Sequence, residues 1–494
     1  MSLGPTNLAR NPAEWFRRTA LLIALFAAPV STVLNSRLLN DPDIWFHLRT
    51  GQWIMQNGRM PVTDPFSAFG AGKPWIAYSW LFDVLVFQLY SAFNFLGIVF
   101  LQLALSLAVG FALYRMVARL QPSFLKSVAI TSAGLFAMAP LFSPRPWLFT
   151  ILFFVVELEL VVSARRSGDY KRLLWLLPIF CLWANLHIQF LYGLFLLGIA
   201  LVDALSEPLF KTIPPATGAH GGRALQLSAV TAMCALATLI NPYHLKIYGV
   251  IYDYARETGV FQYVAELQAL SFRDYSSYLV LLLALGAAFA VGWRRQLALF
   301  PVALLLAGAF LSFRAARDCW FIVIAAAMLI ASAEDAAPRD YHLSKPQWVL
   351  VAAGAMAILF GVGRARHVSN ATITSAIAGA FPSRATEIIE QRGYPGPLFN
   401  TFNWGGYLIW RLPRLPVSMD GRTNVYGEEK IARSIATWSG VPGWNSDRDL
   451  VDARIIVAPR EEPLCSLLRL SPRYALVYED EVAAVFIVKQ QPHE

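Results

Sequence analysis

Long apolar stretches recur through the first three quarters of the chain, and short polar segments separate them. A helix rises about 1.5 Å per residue, so each stretch is long enough to cross all or most of the hydrocarbon layer of a bilayer. The pattern predicts a polytopic α-helical membrane protein with about eleven transmembrane helices. They lie near residues 19–35, 95–118, 125–142, 146–164, 172–187, 189–205, 224–240, 277–293, 297–313, 318–333 and 347–363.

The composition agrees with this prediction. The chain has 494 residues, of which 56% are hydrophobic and 15% charged, whereas a soluble domain has about 25% charged residues. The net charge of +9 does not indicate a nucleic-acid partner, because the Lys and Arg residues lie mainly in short loops between the apolar stretches. There they are typical topology signals, and they predict that the N-terminus lies in the cytoplasm and the C-terminus on the opposite side.

The segment at residues 37–94 contains a candidate site. It contains Asp41, Asp43, His47 and Asp64, and it follows the first apolar stretch. Its last part, WLFDVLVFQLYSAF at residues 80–93, is short and amphipathic, which predicts a helix in the membrane interface. Charged groups are costly in the bilayer core, so this cluster indicates a site at the membrane surface. The alternative is that these Asp residues only cap turns and helices.

The same topology places further polar residues on the outer face, at the ends of apolar stretches. Arginines suit a phosphate or diphosphate, and the three Asp residues of the loop suit a cation or a base. The alternative for each arginine is pairing with a local carboxylate, such as Arg317 with Asp318. The outer-face candidates are Arg145, His187, His244, Arg314 and Arg317.

After residue 363 the apolar stretches end, and residues 364–494 are predicted to form an extracytoplasmic α/β domain large enough for its own core. Short strands are expected at 397–402, 416–420, 454–458, 474–478 and 482–488, with a helix at 404–412. The last two strands are expected to form a hairpin. Residues 1–363 make up the transmembrane domain, with its first outer loop at 37–94.

The predicted architecture consists of an N-terminal span, a loop that opens with Asp41-Pro42-Asp43, an interfacial helix, about ten more spans and an outer domain. It resembles the GT-C superfamily of integral membrane glycosyltransferases. The segments DPDIWFHLRTGQWI, PVTDPFS, SPRPWLFT, LWANLHIQFLYG and FNWGGYLIW resemble an uncharacterised bacterial branch. The likeness covers nearly the whole chain. No WWDYG-type motif is present, which does not favour transfer to asparagine.

The resemblance implies a function. Such enzymes move a sugar from a polyprenyl-phosphate donor to a glycan, lipid or protein acceptor, here on the outer face of a bacterial inner membrane. It implies that Asp43 is the catalytic base or a ligand of a divalent cation, Mg²⁺ or Mn²⁺, that Asp41 is its partner, and that the reaction inverts the anomeric centre. His47 is expected to orient Asp43 or to bind substrate. The remaining candidates, Asp64, Arg145, His187, His244, Arg314 and Arg317, are expected to bind substrate.

Two other classes of protein remain alternatives. A secondary transporter concentrates polar groups near the middle of broken helices, and here Glu157 and Glu159 are the clearest mid-span charges. A non-catalytic factor of envelope polysaccharide assembly would keep the fold without the chemistry. Asp41 and Asp43 would then point away from any cavity.

Overall fold

The computed structural model describes residues 12–35, 39–210, 220–256, 259–293, 298–334 and 344–489. Residues 37–38, 297 and 490–494, which the sequence places at the edges of predicted segments, lie outside this part. The described helices are α1 Pro12–Asn35, α2 Ile44–Asn57, α3 Trp80–Phe93, α4 Phe95–Leu120, α5 Phe124–Ala137, α6 Trp147–Ser167, α7 Leu176–Leu186, α8 Phe190–Phe210, α9 His220–Ala237, α10 Lys246–Arg256, α11 Val260–Tyr263, α12 Tyr275–Trp293, α13 Leu299–Arg314, α14 Cys319–Ala331, α15 Lys345–Ala365, α16 Asn370–Ala378, α17 Ser383–Arg392, α18 Phe402–Arg411, α19 Thr423–Trp438, α20 Arg448–Asp452 and α21 Pro463–Leu470.

The protein is mostly helical, and five of its described helices are long and apolar enough to cross a membrane: α1, α4, α6, α12 and α15. Several other predicted spans form shorter apolar helices, among them α5, α8 and α13. The stretch at 172–187 begins as a 3-10 helix and continues as the eleven residues of α7. The total of eleven spans therefore stays a prediction.

The helical bundle is organised around α14. This helix is apolar on all sides, and it is buried among α4, α5, α12 and α13, as expected for a helix without a polar face. By contrast, α15 packs mainly on α1 and leaves most of its apolar surface uncovered. It ends at Ala365, close to the predicted domain boundary.

The first loop contains α2 and α3, which pack closely on each other. The helix predicted at residues 80–93 is confirmed as α3. A Cβ atom at Gly51 of α2 would overlap the carbonyl group of Asp83 in α3, so glycine is required at this crossing. On its other side α2 packs against α18, where a Cβ atom at Gly406 would lie 2.8 Å from the carbonyl oxygen of Pro42. The two glycines thus allow α2 to pack closely against both α3 and α18, and Gly406 brings α18 next to Pro42.

The C-terminal domain contains a four-stranded sheet, β1 Leu398–Asn400, β2 Ile455–Pro459, β3 Tyr474–Glu479 and β4 Ala483–Val488, in the order β1-β2-β4-β3. Strands β1 and β2 are parallel, in the register Leu398 to Ile455, and the other pairs are antiparallel. The predicted β3–β4 hairpin is confirmed. The strand predicted at 416–420 is wrong, because only Val417 pairs there, through single bridges to Leu398 and to Ser67 of the first loop.

Candidate functional site

A cavity of about 280 Å³ lies where the first loop, the bundle and the C-terminal domain meet. Its walls come from helix ends and connecting segments rather than from the middle of helices. Asp43 precedes α2, Arg145 precedes α6, and His187 follows α7. The polar residues of its lining include Asp43, His47, Tyr78, Arg145, His187, Tyr254, Glu266, Arg317, Asn403, Arg422 and Thr423.

Arg145 is the centre of the acidic part of the cavity. Its Nε donates to Oδ2 of Asp41 over 2.6 Å, its Nη1 donates to Asp43, and its Nη2 lies 3.4 Å from Glu266. The guanidinium also lies 4.8 Å from the ring centroid of Trp147. A planar guanidinium has separate donors for several carboxylates, which a lysine does not offer in fixed directions. Arg145 therefore draws the two acids of Asp-x-Asp together with an acid from a distant loop.

Asp43 has an unusual electrostatic environment. Burial raises its pKa to about 8, Arg145 opposes this shift, and Asp41 and Glu266 add to it. A direct contact with an arginine ordinarily lowers the pKa of a carboxyl group. Here the three carboxylates of Asp41, Asp43 and Glu266 surround the single guanidinium of Arg145, so negative charge is in excess. Glu266 alone of the three also approaches Arg317. We conclude that the pKa of Asp43 is raised and that it readily takes up a proton.

A second cavity of about 340 Å³ adjoins the first and shares Tyr78, Trp147, His187, Tyr254, Leu267 and Arg317 with it. Its other walls are largely apolar, and they include Leu191, Ile251, Phe261 and Leu311. Arg314 and Arg317 both line it. The guanidinium of Arg314 stacks on the ring of Phe261, 4.7 Å from the ring centroid. The second cavity thus combines two guanidinium groups with an apolar surface.

Arg317 does approach its neighbour Asp318, as the alternative reading of the sequence expected, at 3.9 Å. It lies equally close to Glu266, at 3.8 Å. Asp318 accepts shorter hydrogen bonds from Gln189, at 2.8 Å, and from Tyr192, at 2.7 Å. Both contacts of Arg317 are long, so a ligand phosphate can compete for its donors.

His47 and His187 line the first cavity, and each imidazole is held by a neighbour. His47 Nδ1 lies 2.6 Å from Oδ1 of Asp83, so His47 pairs with a residue of α3. It therefore does not orient Asp43, which was one of the two roles that the sequence suggested for it. His187 Nδ1 lies 2.8 Å from Oγ1 of Thr150, and Trp183 donates to the same hydroxyl. Both rings are thereby fixed at the cavity wall.

Three predicted site residues, Asp41, Asp64 and His244, line neither cavity. Asp64 is sealed under the C-terminal domain, where it accepts from Arg422 over 2.8 Å and from the amides of Phe66 and Ser67. There it contributes to the contact between the first loop and the C-terminal domain, and its role in substrate binding stays a prediction. His244 is exposed, and its Nδ1 lies 3.2 Å from the carbonyl oxygen of Leu239. Asp41 contributes to the site indirectly, through its ion pair with the cavity residue Arg145.

Several cavity residues carry no signal in the sequence. Glu266 lies in a segment without a motif, and Tyr78, Tyr254 and Thr423 form a chain of hydroxyl contacts of 3.4 and 3.1 Å across the cavity. The C-terminal domain supplies Asn403, Arg422 and Thr423 to the wall. Asn403 and Arg422 belong to the motifs Asn403-Trp404-Gly405-Gly406-Tyr407 and Asp420-Gly421-Arg422, which the sequence offers as a candidate strand-end site, with turn glycines and a capped helix as the alternative.

The predicted divalent cation does not fit the donors as they are arranged. Asp41 and Asp43 both point their oxygens at Arg145, which already supplies positive charge there. Within the described ranges, no group of three or more His, Cys, Asp or Glu side chains is placed to hold a metal ion. We therefore assign no step to a metal.

A scan against protein-family models and a search of curated proteins both find no match to this chain.

Proposed function

We propose that the protein is a membrane glycosyltransferase of the GT-C type, which transfers a sugar from a polyprenyl-phosphate-linked donor to an acceptor hydroxyl. The observation that carries this proposal is the pair of adjoining cavities. One holds a carboxylate of raised pKa, and the other holds two arginines beside an apolar wall. A donor of this class has a sugar, an anionic phosphate and an apolar chain. The sugar corresponds to the cavity with Asp43, the phosphate to Arg314 and Arg317, and the chain to the apolar wall.

The reaction follows from the positions of Asp43 and the arginines. The acceptor oxygen attacks the anomeric carbon as its proton passes to the Asp43 carboxylate. The bond from the anomeric carbon to the phosphate oxygen breaks, and the electron pair leaves with the lipid phosphate. Arg317 and Arg314 stabilise the charge that grows on this phosphate. A single displacement of this kind inverts the anomeric centre.

The proposed setting is the outer face of a bacterial inner membrane, with the N-terminus in the cytoplasm and the C-terminal domain outside. The acceptor is a glycan, lipid or protein of the cell envelope. The alternatives are less favoured. Asp43 lines a cavity, whereas a non-catalytic assembly factor need not keep it there, and the polar cluster comes from helix ends rather than from the mid-helix positions of a transporter.

The proposal is tested by transfer from radiolabelled polyprenyl-phosphate sugars by the purified protein, as wild type and as Asp43→Asn. The substitution keeps the shape of the side chain and removes its ability to take the proton. We expect a loss of transfer of at least about 100-fold, the lower range for a general base. The control is Asp452→Asn, which alters an exposed carboxylate of the C-terminal domain and should leave the rate unchanged.

Full transfer by Asp43→Asn would remove this residue from the mechanism. If the folded wild type transferred no sugar from any such donor, the glycosyltransferase proposal would be wrong, and the assembly-factor and transporter alternatives would gain.

A further inference from the structure

The His47–Asp83 pair is a second polar device at the first cavity, distinct from the Arg145 cluster. His47 and Asp83 are 5% and 3% exposed, and they hydrogen-bond over 2.6 Å between α2 and α3. The ring of Phe82 meets the imidazole edge to face, with centroids 4.9 Å apart. The pair is therefore enclosed and its geometry is fixed.

Asp83 is the only charged residue of α3, whose sequence is otherwise apolar or neutral. A buried carboxylate is costly unless it is paired, and Gly51 is required to bring α2 close enough for this pairing. Packing alone would be better served by an apolar residue at this position. The arrangement instead presents one imidazole in a single orientation.

The edge of the imidazole opposite Asp83 has no hydrogen-bond partner among the described residues. Nδ1 is turned to Asp83, and no described residue forms a hydrogen bond with Nε2 on the other side of the ring. His47 lines the first cavity and a small adjoining pocket that Arg422 also lines. It does not line the second cavity, where Arg314 lies. The imidazole therefore lies in the part of the site away from the apolar wall of the second cavity.

We propose that His47 binds a hydroxyl group of the acceptor through Nε2, and that Asp83 is a positioning residue which fixes the imidazole ring for this contact. The inference rests on the proposed glycosyl transfer. A hydroxyl group both donates and accepts, so it is suited to Nε2 whichever ring nitrogen carries the proton. The contact would bring an acceptor hydroxyl into the same cavity as Asp43, and it would favour acceptors that carry a second hydroxyl beside the reacting one.

Two substitutions of His47 separate its two nitrogens. His47→Asn keeps an amide near the position of Nδ1, within reach of Asp83, and removes the group at Nε2. His47→Gln keeps a polar group near Nε2 and loses the link to Asp83. The assay uses methyl glycosides of glucose, mannose and galactose as acceptors, with their monodeoxy analogues, and it measures KM separately for acceptor and donor.

We expect wild type to discriminate against one monodeoxy acceptor by about tenfold, the usual effect of a lost hydrogen bond. His47→Asn should raise the acceptor KM by a similar factor, leave the donor KM unchanged and abolish this discrimination. His47→Gln should keep part of it. Asp83→Asn should raise the acceptor KM without changing the donor KM, because the ring loses its fixed orientation.

The proposal is overturned if His47→Asn keeps the wild-type acceptor KM and the same discrimination against deoxy acceptors. It is also overturned if donor and acceptor KM rise together in both His47 variants, since that indicates a general loss of structure. In both cases wild type still transfers sugar, so the proposed function stands. A wild type that transfers no sugar at all removes both proposals.

Discussion

Arg422 forms two buried ion pairs, one of which links the C-terminal domain to the first loop. Its Nη1 donates to Asp64 over 2.8 Å, while Nε and Nη2 donate to Asp420 over 2.8 and 2.7 Å. Tyr426 also donates to Asp420, over 2.8 Å. The side chains of Arg422, Asp64 and Asp420 are 2%, 0% and 0% exposed. The guanidinium also lies 4.5 Å from the ring centroid of Trp75.

We predict that Arg422→Gln opens the contact between the C-terminal domain and the first loop. The substitution leaves two buried carboxylates without their counter-charge, and breaking a buried ion pair in this way costs about 3–5 kcal/mol. Each 1.4 kcal/mol is about a factor of ten in an equilibrium constant, so the open state should become roughly 100- to several-thousand-fold more populated. Arg422→Lys keeps the charge but cannot contact both carboxylates in the same geometry, so it should give a smaller effect.

The assay is hydrogen exchange measured by mass spectrometry on peptides that cover residues 61–77 and 417–426. Exchange of these amides should accelerate roughly 100- to several-thousand-fold. Exchange in peptides from α14, which is buried in the bundle, should not change. Arg414→Gln, at an exposed arginine of the same domain, is the matched control. An acceleration of less than about tenfold in Arg422→Gln would refute the argument that this ion pair closes the interface.

Three further results are expected. The kcat/KM for transfer should rise between pH 6 and 9 with a midpoint near 8. Burial raises the pKa of Asp43 to about 8, and a general base acts only after it has lost its proton. A flat pH profile in this range would contradict the role of Asp43 as the base. Arg314→Ala and Arg317→Ala should each weaken binding of farnesyl phosphate, measured by thermal shift, by about tenfold or more, and should leave farnesol unaffected; equal losses for both ligands would argue against phosphate recognition. Glu157→Met should raise the midpoint of thermal unfolding. Neither carboxylate oxygen of Glu157 has a hydrogen-bond partner in the described structure, and each such buried group costs about 1–3 kcal/mol. A lower midpoint would show that Glu157 has a partner.

The sequence predicted those elements whose signals are local. The helix α3 was placed at its observed bounds, since an amphipathic run between polar segments has clear ends. The β3–β4 hairpin was also found, because two β-branched and aromatic runs flank a short acidic turn. The segment at 416–420 looked similar in sequence, but Val417 is held by the first loop as well as by β1, and no regular ladder forms.

The parts of the site that depend on distant residues could not be predicted. Asp64 and Arg422 are separated by 358 positions, and no local pattern links them. Glu266 reaches Arg145 from a segment of short helical turns whose sequence carries no motif. The pairing of His47 with Asp83 depends on the close crossing at Gly51, which a single glycine in an amphipathic run does not reveal. The candidate acids were therefore named from the sequence, but their partners in the fold were not.

The two acidic clusters show why residue type alone does not decide which carboxylate is functional. In each, one arginine is shared by more than one Asp: Arg145 by Asp41 and Asp43, and Arg422 by Asp64 and Asp420. The second cluster is closed by Tyr426 and by the amides of the first loop, so its charge is satisfied within the protein. The first cluster has a further carboxylate, that of Glu266, and Asp43 faces a cavity. Access and excess charge therefore distinguish Asp43 from Asp64, so loss of transfer should follow substitution of Asp43, and opening of the domain contact should follow substitution of Asp64.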